Sequence, residues 1–140
     1  MRIVIDSNRV LAAMIKESTT REIIFDSFFE FVAPDFLLSE AWKHEERVIK
    51  AAEMTKDEFE ILLALIFEHI TILPKAEYSE FIEGLQEEIT DTKDVPYIAA
   101  CLTSKTEGIW THDPHFKEQQ KVKVFTNIDM LRMSGKAKSI

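Results

Sequence analysis

The first ten residues, MRIVIDSNRV (residues 1–10), decide the fold. Ile3, Val4 and Ile5 form a short apolar run, which is typical of a β-strand buried on both faces. Asp6 follows this run directly, and an apolar helical pattern begins at Val10. In an open parallel sheet, a carboxylate at the carboxyl end of a strand points into the crevice where such folds bind ligands. The opening stretch therefore predicts both a buried strand and the start of a site.

The rest of the chain repeats this change from strand pattern to helix pattern. Strands alternate with helical segments five times, which indicates a parallel sheet covered by helices on both faces. We assign strands to residues 2–5, 31–33, 70–73, 108–111 and 122–125. The sequence shows no internal repeat and no linker, and we expect one domain over residues 1–133 followed by a disordered tail, residues 134–140.

Capping residues predict where two helices begin, and a cluster of phenylalanines predicts part of the core. Thr55 and Glu58 form a capping box before a long amphipathic helix, and Asp35 is expected to cap a helix that runs to about Ala52. Four phenylalanines close together in the sequence are assigned to the core: Phe25, Phe28, Phe29 and Phe31.

The composition limits the classes of protein to consider. A chain of 140 residues that is 46% hydrophobic can bury a core. One cysteine excludes an intrachain disulfide and a cysteine zinc cluster, and it fits a reducing cytoplasm. No apolar run is long enough to span a membrane. The net charge of −8 counts against tight nucleic-acid binding by an unmodified surface, although a bound metal would offset part of it.

Two acids follow strands directly. Asp6 ends the first strand, and Asp113 comes two residues after Thr111, which closes the strand that begins at Gly108. The structural alternatives are a helix N-cap for Asp6 and an Asp-Pro turn for Asp113. We favour function for both, because carboxylates that converge at a crevice repel one another unless a hard cation such as Mg²⁺ or Mn²⁺ lies between them.

Two further acids belong to predicted helices. Glu40 lies among apolar positions and should face inward, where an acid needs a partner. Asp94 lies in the first turn of a helix, where a carboxylate also favours the helix dipole. Asp91 is one helical turn earlier and competes with Asp94, either as an outer metal ligand or as an N-cap.

Polar neighbours of these acids have more than one interpretation. Asn8 would either fix the rotamer of Asp6 or cap the following helix, and Thr111 would orient a water or a carboxylate. His112 and His115 flank Asp113, and surface placement is the favoured interpretation for them, as it is for His44 and His69. Five cations near these elements are candidates for phosphate contact: Arg9, Lys43, Arg47, Lys93 and Lys117.

These pieces together resemble the PIN domain family, which includes many ribonucleases and the VapC-type toxins. The resemblance is carried by the segments IVIDSN (3–8), APDFLLSE (33–40), DVPYIAA (94–100) and IWTHD (109–113). Their order and spacing cover nearly the whole chain. Arg9 departs from the pattern, since the family usually has an apolar or small residue there.

The resemblance implies a three-layer α/β/α sandwich with a central five-stranded parallel sheet. It also implies an acidic quartet of Asp6, Glu40, Asp94 and Asp113 that binds Mg²⁺ or Mn²⁺, with Asn8 and Thr111 as polar neighbours. The implied activity is hydrolysis of single-stranded RNA. An antitoxin protein would be a partner if the chain is a toxin, and a homodimer is expected, with residues 10–29 and 55–69 as candidate interface helices.

Three other functions are alternatives to the nuclease. A catalytically inactive PIN-like scaffold is the main alternative, and the net charge of −8 favours it. A phosphoacceptor signalling domain needs paired acids after its first strand, and this chain has one acid there. A phosphatase that uses two acids spaced by one residue does not fit, because position 8 is Asn.

Overall fold

The computed structural model describes residues 1–86 and 92–136. Five parallel strands form one sheet in the order β3-β2-β1-β4-β5. The predicted architecture, a five-stranded parallel sheet with covering helices, is confirmed. The elements are β1 (Arg2–Ile5), α1 (Ser7–Ile15), α2 (Thr19–Ile24), β2 (Glu30–Pro34), α3 (Phe36–Lys43), α4 (Glu45–Ala52), α5 (Lys56–Phe67), β3 (Ile70–Leu73), α6 (Lys75–Leu85), α7 (Val95–Ser104), β4 (Ile109–Trp110), a short 3-10 helix (Pro114–Glu118), β5 (Val124–Phe125) and α8 (Asn127–Met133).

Strand β1 lies in the middle of the sheet. Its Val4 pairs with Val32 of β2 on one side and with Ile109 of β4 on the other. The apolar run of β1 is fully buried, because helices cover both faces of a parallel sheet and leave no face for polar side chains. Helix α7 contacts β1, β2 and β4, and α6 packs against α7, while α1 contacts α2, α3, α4 and α5.

The strand order places a topological switch between β1 and β4. From β1 the chain moves outward through β2 and β3, then returns to the other side of β1 to form β4 and β5. Loops that leave β1 and β4 therefore diverge, which opens a crevice at the carboxyl ends of these two strands. Asp6 leaves β1 and Thr111 leaves β4 at this point.

The long helix predicted from Asp35 to about Ala52 is two helices. The break is at His44, whose backbone (φ −99°, ψ 13°) is not helical. Asp35 makes no side-chain hydrogen bond to α3; its carboxylate instead accepts one from the backbone N–H of Lys75 at 3.2 Å and another from the hydroxyl of Tyr78. Because β2 and β3 are neighbours, the end of β2 places Asp35 beside the start of α6. The Thr55–Glu58 capping box is confirmed.

The four phenylalanines do not all belong to the core. Phe29 and Phe31 are buried, and Phe31 packs against Trp110 with ring centroids 5.5 Å apart. Phe25 and Phe28 are exposed, so the prediction was wrong for them. Both lie in the connection between α2 and β2, where the chain no longer follows the helical spacing that would turn them inward.

The first three residues of the expected tail lie within the described part of the chain. Residues 134–136 are attached to the domain: the backbone N–H of Lys136 donates to the carbonyl of Leu131 at 2.8 Å, and its ammonium lies 3.2 Å from the carboxylate of Asp26. Residues 137–140 lie outside the described part of the chain. Across the described residues, no helix has the length and apolar character that crossing a bilayer requires.

Candidate active site

A polar cavity of about 270 Å³ opens at the carboxyl ends of β1 and β4. All four acids that the sequence singled out line it, although they come from four distant segments. The lining residues are Asp6, Ser7, Asn8, Phe36, Glu40, His44, Arg47, Lys93, Asp94, Tyr97 and Asp113. The fold therefore brings the predicted quartet to one place.

The side chain of Asp6 is fixed by the neighbouring strand. The Thr111 hydroxyl donates to Oδ2 of Asp6 at 2.7 Å, and the Ser7 hydroxyl lies 3.5 Å from Oδ1. Thr111 also accepts a hydrogen bond from the backbone N–H of Asp113 at 3.0 Å. One hydroxyl thus sets both the Asp6 carboxylate and the turn that carries Asp113.

Asp6 is only 4% exposed. Burial raises the pKa of its carboxyl above the ordinary value, and the nearby charge of Asp113 raises it further. Hydrogen bonds from Thr111 and from the backbone N–H groups of Asn8 and Ser7 lower it, by a smaller total amount. Burial and the charge of Asp113 therefore make the Asp6 carboxylate less stable than a solvent-exposed one, and a cation in the cavity would relieve both effects.

Asp94 enters the cavity from the start of α7. It is buried and immediately precedes the helix, but its side chain makes no capping bond to α7. Pro96 lies in the first turn, where the missing N–H costs no hydrogen bond. The carboxylate therefore does not serve its own helix as a cap. Asp91, the competing candidate, lies outside the described residues.

Asp94, Asp113 and His115 form a group that could hold a metal ion. Each offers one ligand atom, and these three atoms lie within 4.8 Å of one another. Asp113 also caps the 3-10 helix, because its Oδ1 accepts from the backbone N–H of His115 at 3.0 Å. The Nδ1 of His115 lies 3.2 Å from the same oxygen.

Glu40 and His44 face each other across one turn of helix. The Nε2 of His44 lies 3.8 Å from Oε2 of Glu40, and the Glu40 side chain is largely buried. His44 lines the cavity, and its side chain is 29% exposed. The break between α3 and α4 at His44 was not predicted from the sequence.

Tyr97 is a site residue that sequence reasoning missed. It is 2% exposed and lines the cavity, and its hydroxyl has no hydrogen-bond partner within 3.5 Å among the residues described. Burial raises its pKa, and the charges of Asp6 and Glu40 raise it further, while the nearby Ser7 lowers it. Its position next to Ile98 on an apolar helix is typical of a core residue, so only the three-dimensional arrangement identifies it.

The candidate phosphate-binding cations and Asn8 lie at different distances from the acidic cavity. Arg47 and Lys93 line the acidic cavity, and Lys117 lines a smaller cavity of about 180 Å³ that also includes Asp113. The Arg9 guanidinium is half-buried near Asp6, and its pKa is lowered by burial. Asn8 has an exposed side chain, and it approaches Asp6 through its backbone N–H.

The donor set suits a hard divalent ion. Carboxylate oxygens are the ligands that Mg²⁺ and Mn²⁺ prefer. The Tyr97 hydroxyl adds a buried polar atom that the described protein groups leave without a hydrogen bond. In the described residues, the ion pairs of Glu40 and Asp113 are with histidines, which are not permanent cations.

Comparisons with known proteins agree with this architecture. A family model described as "PIN domain" matches residues 4–128, which include every acid of the quartet. The fold is similar to that of a chain in the crystal structure of VapBC2 from Rickettsia felis bound to a DNA fragment from the VapBC2 promoter. The two chains superpose with a TM-score of 0.65. The two chains are 12% identical, and the match covers 90% of this chain and 98% of that one. Comparison with curated protein sequences finds no match.

Proposed function

The chain belongs to the PIN domain family, and from that premise we propose that it is a metal-dependent endoribonuclease that hydrolyses single-stranded RNA. The observation that carries the proposal is the convergence of Asp6, Glu40, Asp94 and Asp113 on one cavity. Four acids from distant segments would be electrostatically costly together without a cation to bind. The family is typically one of nucleases.

We assign the metal site to these four carboxylates. A divalent ion held there supplies Lewis acidity, which activates water and shields the charge of the attacked phosphate. The identity of the ion, Mg²⁺ or Mn²⁺, is part of the proposal. Asp91 is kept as a further candidate ligand, and Thr111 and Asn8 as groups that hold Asp6 in position.

The cations of the cavity wall are assigned to the substrate. Arg47 and Lys93 lie beside the acids, where they would meet the phosphates that flank the scissile bond. Such local cations allow an RNA backbone to approach a chain whose net charge is −8. Lys117, on the other side of Asp113, would extend the same contact.

We further propose that the chain acts as the toxin of a toxin–antitoxin pair in the cytoplasm, with an antitoxin protein as its partner. The support is the shared fold with a chain of the VapBC2 structure, at 12% identity. A homodimer is proposed as well. Ile61 and Leu65 of α5 are exposed apolar side chains, and they lie in one of the two segments expected to form the interface.

The alternative is a PIN-like protein that binds other proteins without catalysis. The net charge of −8 favours it, since nucleic-acid binding normally requires a basic surface. Calorimetric titration with Mn²⁺ distinguishes the two functions. Absence of binding at millimolar Mn²⁺ would favour the scaffold.

The nuclease proposal is tested with Asp6→Asn and Asp113→Asn. We expect single-stranded RNA to be cleaved by the wild type with Mg²⁺ or Mn²⁺, and cleavage to fall by at least about 100-fold in each variant, the order found when one charge-stabilising group is removed from an active site. Asp57→Asn is the matched control, because Asp57 is an exposed acid in the first turn of α5. Full activity in both site variants would refute the assignment.

A further inference from the structure

The turn after β4 places His115 beside two acids of the proposed metal site, Asp94 and Asp113. In the described part of the chain, potential ligand atoms of Asp94, Asp113 and His115 lie within 4.8 Å of one another. Two of the three are carboxylates of the proposed quartet, and the third is an imidazole nitrogen. The set therefore combines oxygen and nitrogen donors.

The backbone around His115 is fixed by contacts other than the pairing of its ring with Asp113. Its backbone N–H donates to Oδ1 of Asp113, and Phe116, the next residue, is buried. The Gln119 side chain then closes the turn: its amide donates to the carbonyl of Phe116 at 2.7 Å and accepts from the backbone N–H of Val122 at 3.0 Å. These anchors fix the backbone of His115, so the ring needs only a side-chain rotation to adjust its nitrogen.

The other histidines near the cavity are placed differently. His112 uses its Nε2 to accept a hydrogen bond from the backbone N–H of Asn127 at 3.1 Å. His44 lies 3.8 Å from Glu40 and is not part of the converging group. His115 keeps a 54% exposed side chain, so desolvating it on metal binding costs little.

We propose that His115 supplies a nitrogen ligand to the ion held by Asp94 and Asp113, and that this ligand makes the site prefer Mn²⁺ to Mg²⁺. Imidazole suits transition-metal ions, whereas Mg²⁺ is bound almost entirely by oxygen and retains several waters. The proposal deepens the metal-dependent function and rests on it. Without the nitrogen, the remaining carboxylates would discriminate less between the two ions.

Spin-echo spectroscopy of the Mn²⁺-loaded full chain gives a direct test. A coordinated imidazole produces ¹⁴N modulation of the Mn²⁺ signal, which we expect in the wild type and not in His115→Gln. His69→Gln is the matched control, because His69 is exposed and lies at the opposite, amino end of β3. The control should retain the modulation. Mn²⁺ bound without ¹⁴N modulation in the wild type, or modulation that persists in His115→Gln, overturns the proposal.

Calorimetry with each ion separately measures the selectivity. We expect His115→Gln to bind Mn²⁺ at least about tenfold more weakly, the lower end of the loss caused by removing even a group that supports a metal ligand. Mg²⁺ affinity should change by less than about threefold, and the circular dichroism spectrum and thermal midpoint should match the wild type. Equal losses for both ions would contradict the selectivity.

The two proposals fail in different ways. If Mn²⁺ binds with ¹⁴N modulation but no RNA is cleaved, the ligand assignment stands and the nuclease function fails. If RNA is cleaved and no ¹⁴N modulation is found, the nuclease stands and His115 is not a ligand.

Discussion

The Thr111 hydroxyl and the Asp6 carboxylate are joined by a hydrogen bond of 2.7 Å across 105 residues of sequence. The bond spans β1 and β4, the two strands between which the chain order of the sheet reverses. Because Thr111 also accepts from the backbone N–H of Asp113, its hydroxyl links two acids of the proposed metal site. The position of these acids therefore depends on a residue that carries no charge.

Thr111→Val tests whether the positions of Asp6 and Asp113 depend on the Thr111 hydroxyl. Valine has nearly the same shape but cannot donate, so the buried Asp6 loses the hydrogen bond from Thr111 and the N–H of Asp113 loses its acceptor. We expect the free energy of unfolding of the metal-free protein to fall by about 1–3 kcal/mol, measured by urea denaturation. Nuclease activity should fall as well, because Asp6 is no longer fixed.

Two companion variants control this experiment. Thr111→Ser keeps a hydroxyl and should lose less stability than Thr111→Val. Thr71→Val makes the same chemical change at an exposed position of β3 and should alter stability by less than about 0.5 kcal/mol. Equal effects of Thr111→Val and Thr71→Val would show that the bond to Asp6 is not important for stability.

The acids at strand ends were predictable because a local pattern carries them. An apolar run followed by Asp6, and a second one followed by Thr111 and Asp113, indicate the same edge of a parallel sheet without knowledge of the pairing. The periodicity that separates strands from helices also indicated the sheet type. These features depend on the backbone and on burial, which short sequence windows record.

The features that sequence reasoning missed depend on contacts between distant segments. Asp35 looked like the cap of the helix that follows it, but it caps α6, whose first residue is 40 positions later. Tyr97 was not singled out, because nothing in an apolar helix shows which buried side chain adjoins a cavity. His44 was placed on a helix surface, and nothing in the sequence showed that this surface adjoins Glu40 and the cavity.

Tyr97→Phe and Tyr78→Phe should change stability in opposite directions. The buried hydroxyl of Tyr97 has no hydrogen-bond partner within 3.5 Å in the part of the chain described, so its removal should increase the free energy of unfolding by about 1 kcal/mol. The hydroxyl of Tyr78 donates to the Asp35 carboxylate, and its loss should reduce stability by about 1.5–3 kcal/mol. Urea denaturation of both variants without metal tests the pair.

The opposite signs make this comparison informative. A loss of stability in Tyr97→Phe similar to that in Tyr78→Phe would mean that the Tyr97 hydroxyl has a protein partner, with Ser7 as the nearest candidate. The same variant should bind Mn²⁺ more weakly if the hydroxyl contributes to the surroundings of the ion.

Cys101 should make the protein less stable at alkaline pH. Burial raises the pKa of its thiol to about 12 from an ordinary value near 9.0. Between these values the unfolded chain releases the thiol proton and the folded chain retains it, so the free energy of unfolding falls as pH rises, by up to about 1.4 kcal/mol per unit. The contribution of this group is therefore fully present below pH 9 and is lost above it.

Cys101→Ala isolates the thiol from other groups that titrate in the same range. Urea denaturation of wild type and variant at pH 8, 9 and 10 should show a stability difference that is constant below pH 9 and shifts in favour of the variant above it. Tyrosines and lysines titrate in both proteins and cancel in the difference. Parallel stability curves from pH 8 to 10 would contradict a buried, protonated thiol.

Alanine at Gly108 and alanine at Gly84 should change stability in opposite directions. An added Cβ would clash with neighbouring atoms at Gly108, whereas at Gly84 it would meet no atom of the described residues. A Cβ at Gly108 would lie 2.5 Å from the carbonyl oxygen of Lys123 and 2.7 Å from the ring of Phe125. The backbone oxygen belongs to the segment that pairs with β4, since it accepts from the N–H of Ile109 at 2.9 Å. Strand β5 would have to move away from β4, which breaks that bond.

We therefore expect Gly108→Ala to lower the free energy of unfolding by about 1–3 kcal/mol, the usual cost of overpacking. Gly84 lies within α6, and no atom of residues 1–86 or 92–136 comes within 4 Å of the place that an alanine Cβ would take. Gly84→Ala should therefore raise stability by about 0.5–1 kcal/mol through helix propensity. Because β4 also positions Thr111, only Gly108→Ala should weaken Mn²⁺ binding. A Gly108→Ala protein as stable as the wild type would mean that β4 and β5 are not packed this closely.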